Sequence, residues 1–344
     1  MIINIVKDSK GVVLVLVLSI VALFTVMVLE FSSNQVTDIE MAYNFRDTTQ
    51  AYYLTKAGIE AAKVLLKEDD PSYDSLDEDW ANFSEYAMFA ATFLGGPSFT
   101  GTLTDECSKM DFNSLVTKDG QRDEFRIAQL KRLFRNIPEI DIGEDELSDL
   151  IDAIVDWIDT DDNPTGFGGA EDDYYQRQEP PYECKDGPMD TPEEVLLVFK
   201  GISKSDDEYK IYCEYYNAIR NYVTVGTGGK ININTASREV LLSLSEFINE
   251  DVVDSIMNCR PLTSEKDIYS CIEGIDFNVS EKDQPEAYAE MAKIKDIITI
   301  ISSRFLVDVK GTMPSGAELN LKAVLERKIE SKGIKVQTMY YRIY

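Results

Sequence analysis

Residues 11–31 read GVVLVLVLSIVALFTVMVLEF. Val12 to Leu29 carries no charged side chain, and Lys7 and Lys10 stand just before it. At about 1.5 Å of rise per residue, such a helix approaches the roughly 30 Å hydrocarbon core of a bilayer. A secretory signal has an apolar run of about 7–15 residues and a small-x-small cleavage site. Here the run is longer and no Ala-x-Ala comes after it. The stretch reads as a retained membrane helix, with a cleaved signal as the alternative.

The residues beyond Leu29 favour retention. From Glu30 to Lys67 there is no Pro, and Gly58 is the only Gly. Phe45, Tyr52 and Ile59 recur at seven-residue spacing, with Met41, Leu54, Ala57, Ala61 and Leu65 alongside. Asp38, Glu40, Arg46, Asp47, Lys56 and Lys63 occupy the other faces. An apolar segment running unbroken into an amphipathic one predicts a single helix over residues 12–67. Its first half lies in lipid and its second packs on a globular body. The lysines before the apolar run predict a cytoplasmic N-terminus and a body across the membrane, periplasmic in a Gram-negative cell.

The 344 residues leave room for two or three domains, and 44% apolar content supplies a core. With 62 acidic and 34 basic residues the formal charge is −28. That balance opposes nucleic acid and anionic membrane surfaces, and suits divalent cations or basic partners. Histidine is absent, so no Ser-His-Asp or Cys-His arrangement can be built. No Walker loop or dinucleotide fingerprint is present. The chain is read as a non-enzyme.

In DWIDTDDNPTGFGGAEDDYY (156–175), Asp159, Asp161, Asn163 and Thr165 alternate like positions 1, 3, 5 and 7 of an EF-hand loop. The match then fails, with Pro164 where Gly belongs and Ala170 at the twelfth position. What remains is a bent oxygen-rich loop and, after it, Glu171, Asp172 and Asp173. A non-EF-hand calcium site and a solvated acidic turn both fit. Crowded carboxylates repel without a cation, which favours the metal. Five Cys are present, at 107, 184, 213, 259 and 271. Cys259 with Cys271 and Cys184 with Cys213 are candidate bridges that leave Cys107 odd, and buried free thiols are the alternative.

Two stretches echo each other: DECSKMDFNSL (105–115) and GGKININTASREVL (228–241). Each reads as a short strand leading into a helix, with Thr235 or Ser237 as cap of the second. Between them FRIAQLKRLFRNI, ELSDLIDAIVDWI and TPEEVLLVFKGI carry helical periodicity. RFLVDVKGTM, AELNLKAVLERKI and KVQTMYYRIY alternate apolar and polar residues, as an antiparallel meander does. ININTASREVLLSL with DVVDSIMNCRPLTSEKDIYSCIEGI resembles a helix-hairpin-helix module. Its first hairpin, near LSEFINEDV, holds no Gly and its second, EGIDF, holds one. A backbone N–H nest for phosphate needs that glycine geometry, so a packing or protein-contact role is the better reading.

Together these pieces resemble the minor pseudopilin K family of the type II secretion system (general secretion pathway protein K). The carriers are Lys10-Gly11 before the apolar helix, LIDAIVDWIDTDDNPTGFGGAEDDYY, PPYECKDGPMDTPEEVLLVFKGI and KININTASREVL. The resemblance implies an α+β pseudopilin fold, a long N-terminal helix on a small antiparallel sheet with a large, mainly helical domain inserted. It divides the chain into a leader at 1–11, the helix at 12–67, and a sheet region at 68–112, 222–234 and 301–344. The inserted domain then spans 113–221 and the hairpin-like segment 235–300. It further implies cleavage by prepilin peptidase between Gly11 and Val12 and anchorage in the inner membrane. The expected partners are minor pseudopilins of types I and J and the major pseudopilin. The expected place is the tip of a short pseudopilus that exports folded proteins. The family binds calcium in the inserted domain, which points to Asp159, Asp161, Asp162, Asn163, Glu171 and Asp172 as ligands.

Two positions depart from the wider pilin pattern. Leu16 stands fifth after the cut, where most pilins carry Glu, and the K members share this lack. Val12 stands where Phe or Met commonly follows the leader. The competing functional class is a membrane-anchored helix-hairpin-helix protein of a DNA-uptake machine.

Overall fold

The computed structural model describes residues 9–94, 96–273, 284–331 and 333–344. Helix α1 runs unbroken over Ser9–Glu68. Its first half is bare, with the large apolar side chains from Val12 to Phe31 exposed, as expected of a segment whose solvent is lipid. Its second half lies on a sheet, along only part of the stripe predicted: Ile59 is buried and Tyr52, Ala61 and Leu65 pack against the same core. Phe45 is 76% exposed and Met41 is exposed too, whereas Ala51, Thr55, Ile59, Ala62 and Leu66 are buried. The correction has a steric cause. At Gly58 an added Cβ would meet Val309 Cγ1 at 2.7 Å, so the helix docks through its smallest side chains. A face led by Phe45 could not approach as closely.

After α1 come a 3-10 turn at Asp79–Asn82, α2 (Phe83–Leu94) and β1 (Ser98–Asp105). Strand β1 begins a four-stranded antiparallel sheet that is resumed about two hundred residues later, in the order β1-β6-β7-β8. Trp80, Phe83, Phe99, Phe305, Val307, Val309, Leu321 and Leu325 fill the space between this sheet and α1.

The long excursion between β1 and β6 has two cores. The first includes β2 (Met110–Asp111), α3 (Glu124–Asn136), α4 (Glu144–Ile158), α5 (Asp172–Tyr175), α6 (Val195–Ile202), α7 (Asp206–Ile219) and β3 (Val223–Thr224). Helix α6 is entered through a 3-10 turn, Pro192–Glu194, which has a capping box of Thr191 and Glu194 and Pro192 at the turn's first position. The second core includes β4 (Ile231–Asn232), α8 (Arg238–Ser243), α9 (Glu250–Asn258), α10 (Glu265–Glu273), α11 (Gln284–Ile297) and β5 (Ile298–Thr299). Ser237 caps α8 through its hydroxyl, which accepts the Val240 N–H at 3.4 Å. Thr235 instead donates to Asp105.

Residues 222–234 do not join the antiparallel sheet, contrary to the expectation from sequence. They make two short parallel ladders, Met110 with Val223 and Ile231 with Ile298. The turns at Gly226, Gly228 and Gly229, all with positive φ, part them before either can lengthen. Likewise residues 68–112 contribute one strand to that sheet, β1, with α2 ahead of it. The C-terminal meander is β6 (Arg304–Thr312), β7 (Glu318–Glu330) and β8 (Gly333–Ile343). Burial in β6 alternates strictly, as one covered face requires.

A buried polar network ties both cores to the sheet. Asp105 accepts the hydroxyls of Ser302 (2.6 Å) and Thr235 (2.5 Å), the Asn232 amide (3.2 Å) and the Cys107 N–H (2.7 Å). Asp111 serves the first core in the same way, accepting from Gly226 N, Thr227 Oγ1 and Gly229 N. These two aspartates sit in the first of the echoed stretches, so that stretch marks the junction.

Candidate metal centre

Helix α4 places Asp152, Asp156 and Asp159 on one face, at spacings of four and three. Asp152 is neutralised by Arg122. Asp156, fully buried, accepts the Thr165 N–H with both oxygens, at 3.0 and 3.1 Å. That contact folds the acidic loop back onto its own helix. The loop lies so close that a Cβ at Gly168 would come within 2.1 Å of Asp149 Cα, and Gly166 takes φ +61°. Only glycine suits either place.

The folded loop delivers Glu171 to the end of α4. Asp172 Oδ1 accepts the Cys184 N–H at 2.7 Å and fastens the turn 184–187 alongside. In that turn Asp186 holds φ +48°, rare for a non-glycine. Donor atoms of Glu171, Cys184 and Asp186 lie within 4.8 Å of one another. Asp159 Oδ1, Glu171 Oε1 and Asp186 Oδ1 are buried and have no hydrogen-bond partner among the described residues. Burial, then the charges of Asp156 and Asp159, push Glu171 up to about 8. Burial, then Asp156 and Asp161, push Asp159 up to about 6. Burial raises Asp156 and the Cys184 thiol as well. Three orphaned carboxylate oxygens gathered from three segments fit a hard divalent cation, which takes six to eight oxygens in flexible geometry.

Of the residues expected to ligate, Glu171 is in this cluster, and Asp159 is buried near enough for its charge to act on Glu171. Asp161, Asp162 and Asn163 are exposed, and Asp161 Oδ1 accepts the Asn163 backbone N–H at 2.9 Å. Asp172 is exposed and acts through its bond to the turn. Sequence reasoning missed Asp156, Cys184 and Asp186. Asp156 was open to detection, since it shares a helical face with Asp159. Asp186 comes from a distant turn that no local spacing reveals.

Cys259 and Cys271 are joined, linking the end of α9 to α10. The second bridge considered for Cys184 and Cys213 is not formed, and Cys107 is also a free thiol. Cys184 faces the Asp156 carbonyl at 3.6 Å, while Cys213 is carried on α7.

The connection between α8 and α9 offers no phosphate nest. Residues 244–249 contain no Gly, and Asn249 Oδ1 takes the Val252 N–H. Arg238 is engaged by Glu250 and Asp254. The second hairpin, EGIDF, falls largely outside the described residues.

Comparison with known proteins agrees with this architecture. The family model described as Type II secretion system (T2SS), protein K matches residues 108–225. Type II secretion system protein K of Pseudomonas aeruginosa is 25% identical over 263 residues, 74% of this chain and 73% of the relative. Its counterpart from Aeromonas hydrophila is 27% identical over 272 residues, 74% and 77% of the two chains. Among solved structures, a chain of the GspK-GspI-GspJ complex from the enterotoxigenic Escherichia coli type 2 secretion system superposes with a TM-score of 0.65. That alignment covers 90% of this chain and 99% of that one at 16% identity, a likeness of fold. None of these matches supports the nucleic-acid reading.

Proposed function

We propose that this chain is a minor pseudopilin of the type II secretion system protein K family, to whose members it is similar, and that it occupies the tip of a pseudopilus. One observation carries the reading. The bare apolar half of α1 continues without a break into the half packed on the sheet. The helix is therefore both membrane anchor and structural spine. In a fibre of such subunits, neighbouring anchors pack side by side in lipid, and the body rides on top.

Leu16 supports the tip position. A buried carboxylate on the anchor would neutralise the terminal amine of the subunit above, and an unpaired charge in lipid is costly. A subunit with leucine there offers no such seat, so nothing is placed above it. The first core of the excursion, carried beyond the sheet, makes the cap. Prepilin peptidase cleaves after Gly11, the anchor stays in the inner membrane, and the body lies in the periplasm.

Type I and J pseudopilins are its immediate partners, with the major pseudopilin beneath them. Calcium is held by Asp159, Glu171 and Asp186, and it stiffens the cap by joining α4, the acidic loop and the 184–187 turn. The role is structural, with no catalytic step. The test is to solubilise membranes of the native host in mild detergent and isolate the chain by an affinity tag. The I and J pseudopilins should accompany it in equal amounts. Isolation of the chain without them would refute the proposal.

A further inference from the structure

A second acidic cluster lies at the foot of α1, just after Glu68. The segment DDPSYDSLDED (69–79) forms the turns that follow it. Carboxylate oxygens of Asp69, Asp74 and Glu78 lie within 4.8 Å of one another. Oxygens on a calcium ion sit about 2.3–2.6 Å from it, so separations up to about twice that radius fit one shared ion.

Positive charge is short at this place. Arg327, whose side chain is 0% exposed, donates from Nη1 to Asp69 Oδ2 at 3.0 Å and from Nη2 to Asp74 Oδ2. One guanidinium thus faces three carboxylates. A fourth, Asp105, is one link further on through Ser302, which donates its N–H to Asp74 and its hydroxyl to Asp105. Among the described residues Glu78 Oε2 receives only neutral donors, Ser75 N–H at 2.7 Å and Trp80 Nε1–H at 3.1 Å. Asp74 is 0% exposed, yet its Oδ1 has no hydrogen-bond partner among the described residues. A buried carboxylate oxygen left bare costs free energy, and a cation offsets it. Asp69 and Glu78 are only half-buried, which leaves an entry for the ion and room for water in its shell.

We propose that Asp69, Asp74 and Glu78 form a second divalent-cation site, of calcium type, separate from the centre at the acidic loop. The ion would join three pieces that meet here. Asp69 directly follows the last turn of α1. Asp74 reaches the second core, its N–H donating to the Ile300 carbonyl at 2.6 Å. Glu78 precedes the turn whose Trp80 packs on Phe305 of the sheet at 5.2 Å. The site pins the foot of the anchor helix to the body.

The two tryptophans separate the two sites. Trp80 donates to Glu78, whereas Trp157 is beside the acidic-loop centre, its carbonyl accepting the Gly187 N–H. Terbium, a luminescent substitute for calcium, is titrated into the full chain in detergent with indole-selective excitation. In Trp157→Phe, with Trp80 the only indole left, saturable terbium emission that calcium displaces is expected. Glu78→Gln should weaken that binding at least about tenfold, since ligand charge sets calcium affinity, and Asp159→Asn should leave it unchanged. Absence of Trp80-sensitised emission, or emission that persists in Glu78→Gln with Asp69→Asn, would overturn the site. Where Trp157→Phe fails to fold, equilibrium dialysis of calcium decides with both tryptophans in place. Glu78→Gln must then bind one ion fewer per chain than the parent, and equal numbers refute the proposal.

Discussion

Thr165 and Asp156 are nine residues apart, and the Thr165 N–H is received by both oxygens of the Asp156 carboxylate, at 3.0 and 3.1 Å. The contact closes the acidic loop on α4 and sets where Glu171 enters the centre. Asp156 is fully buried, so its carboxylate has no water to turn to.

Asp156→Ala should therefore cost more than a surface change. It leaves a buried N–H without an acceptor, a penalty of about 1–3 kcal/mol, and frees the loop that carries Glu171. Urea unfolding measures the first effect and calcium titration the second. A variant with parental stability and parental calcium affinity would contradict the arrangement described.

The carboxylates of the centre set a pH dependence. Glu171 is raised from 4.5 to about 8 and Asp159 from 3.8 to about 6. A raised acid holds its proton more tightly in the folded state than in the unfolded one. Folding is then favoured at low pH and loses stability as pH rises from about 4 through about 8. Without cations Tm should fall across that window, and saturating calcium should reverse the fall. At one hundred times the dissociation constant, calcium adds about 2.7 kcal/mol. Thermal scans in chelator and in calcium check this, and a flat profile in chelator would contradict it.

Arg327 is buried between Asp69 and Asp74. In chelator, Arg327→Met strands both carboxylates and should destabilise the protein by about 3–5 kcal/mol. Combining it with Asp69→Asn and Asp74→Asn should recover most of that loss. Denaturant midpoints decide, and a mild effect of the single change would mean that the guanidinium is not what balances this pair.

The Cys259–Cys271 bridge closes a segment of sequence separation 12 around the second core. Replacing both by Ser removes a loop-closure restraint of about 3 kcal/mol. New protease cuts between α9 and α10 should appear before any elsewhere in the chain. An unchanged digestion pattern would show that packing alone holds the segment.

Much of this was readable in the residues, and the failures have physical causes. Helix α1 was legible because nothing between Glu30 and Lys67 breaks a helix. Its docking face was legible only in part: Tyr52, Ile59, Ala61 and Leu65 pack on the core as expected, whereas hydrophobic size wrongly favoured Phe45 and Met41, and close approach to the sheet selects Ala51, Gly58 and Ala62. The meander β6–β8 was legible from alternation. Residues 222–234 alternate as well, yet their pairing is cut short by turns. In the acidic loop, Asp159 and Glu171 stood out by density of charge. Asp186 did not, because its part depends on a turn brought in from elsewhere by Asp172 and the Cys184 N–H. Counting cysteines suggested a bridge from Cys184 to Cys213, while the fold turns Cys184 toward the loop centre.

The central claim is that the apolar half of α1 remains on the finished molecule and joins it to a fibre. Its most direct test is N-terminal sequencing of the mature protein extracted from host membranes. The account predicts a chain beginning at Val12 with the whole apolar segment intact. A chain beginning beyond Phe31 would contradict it.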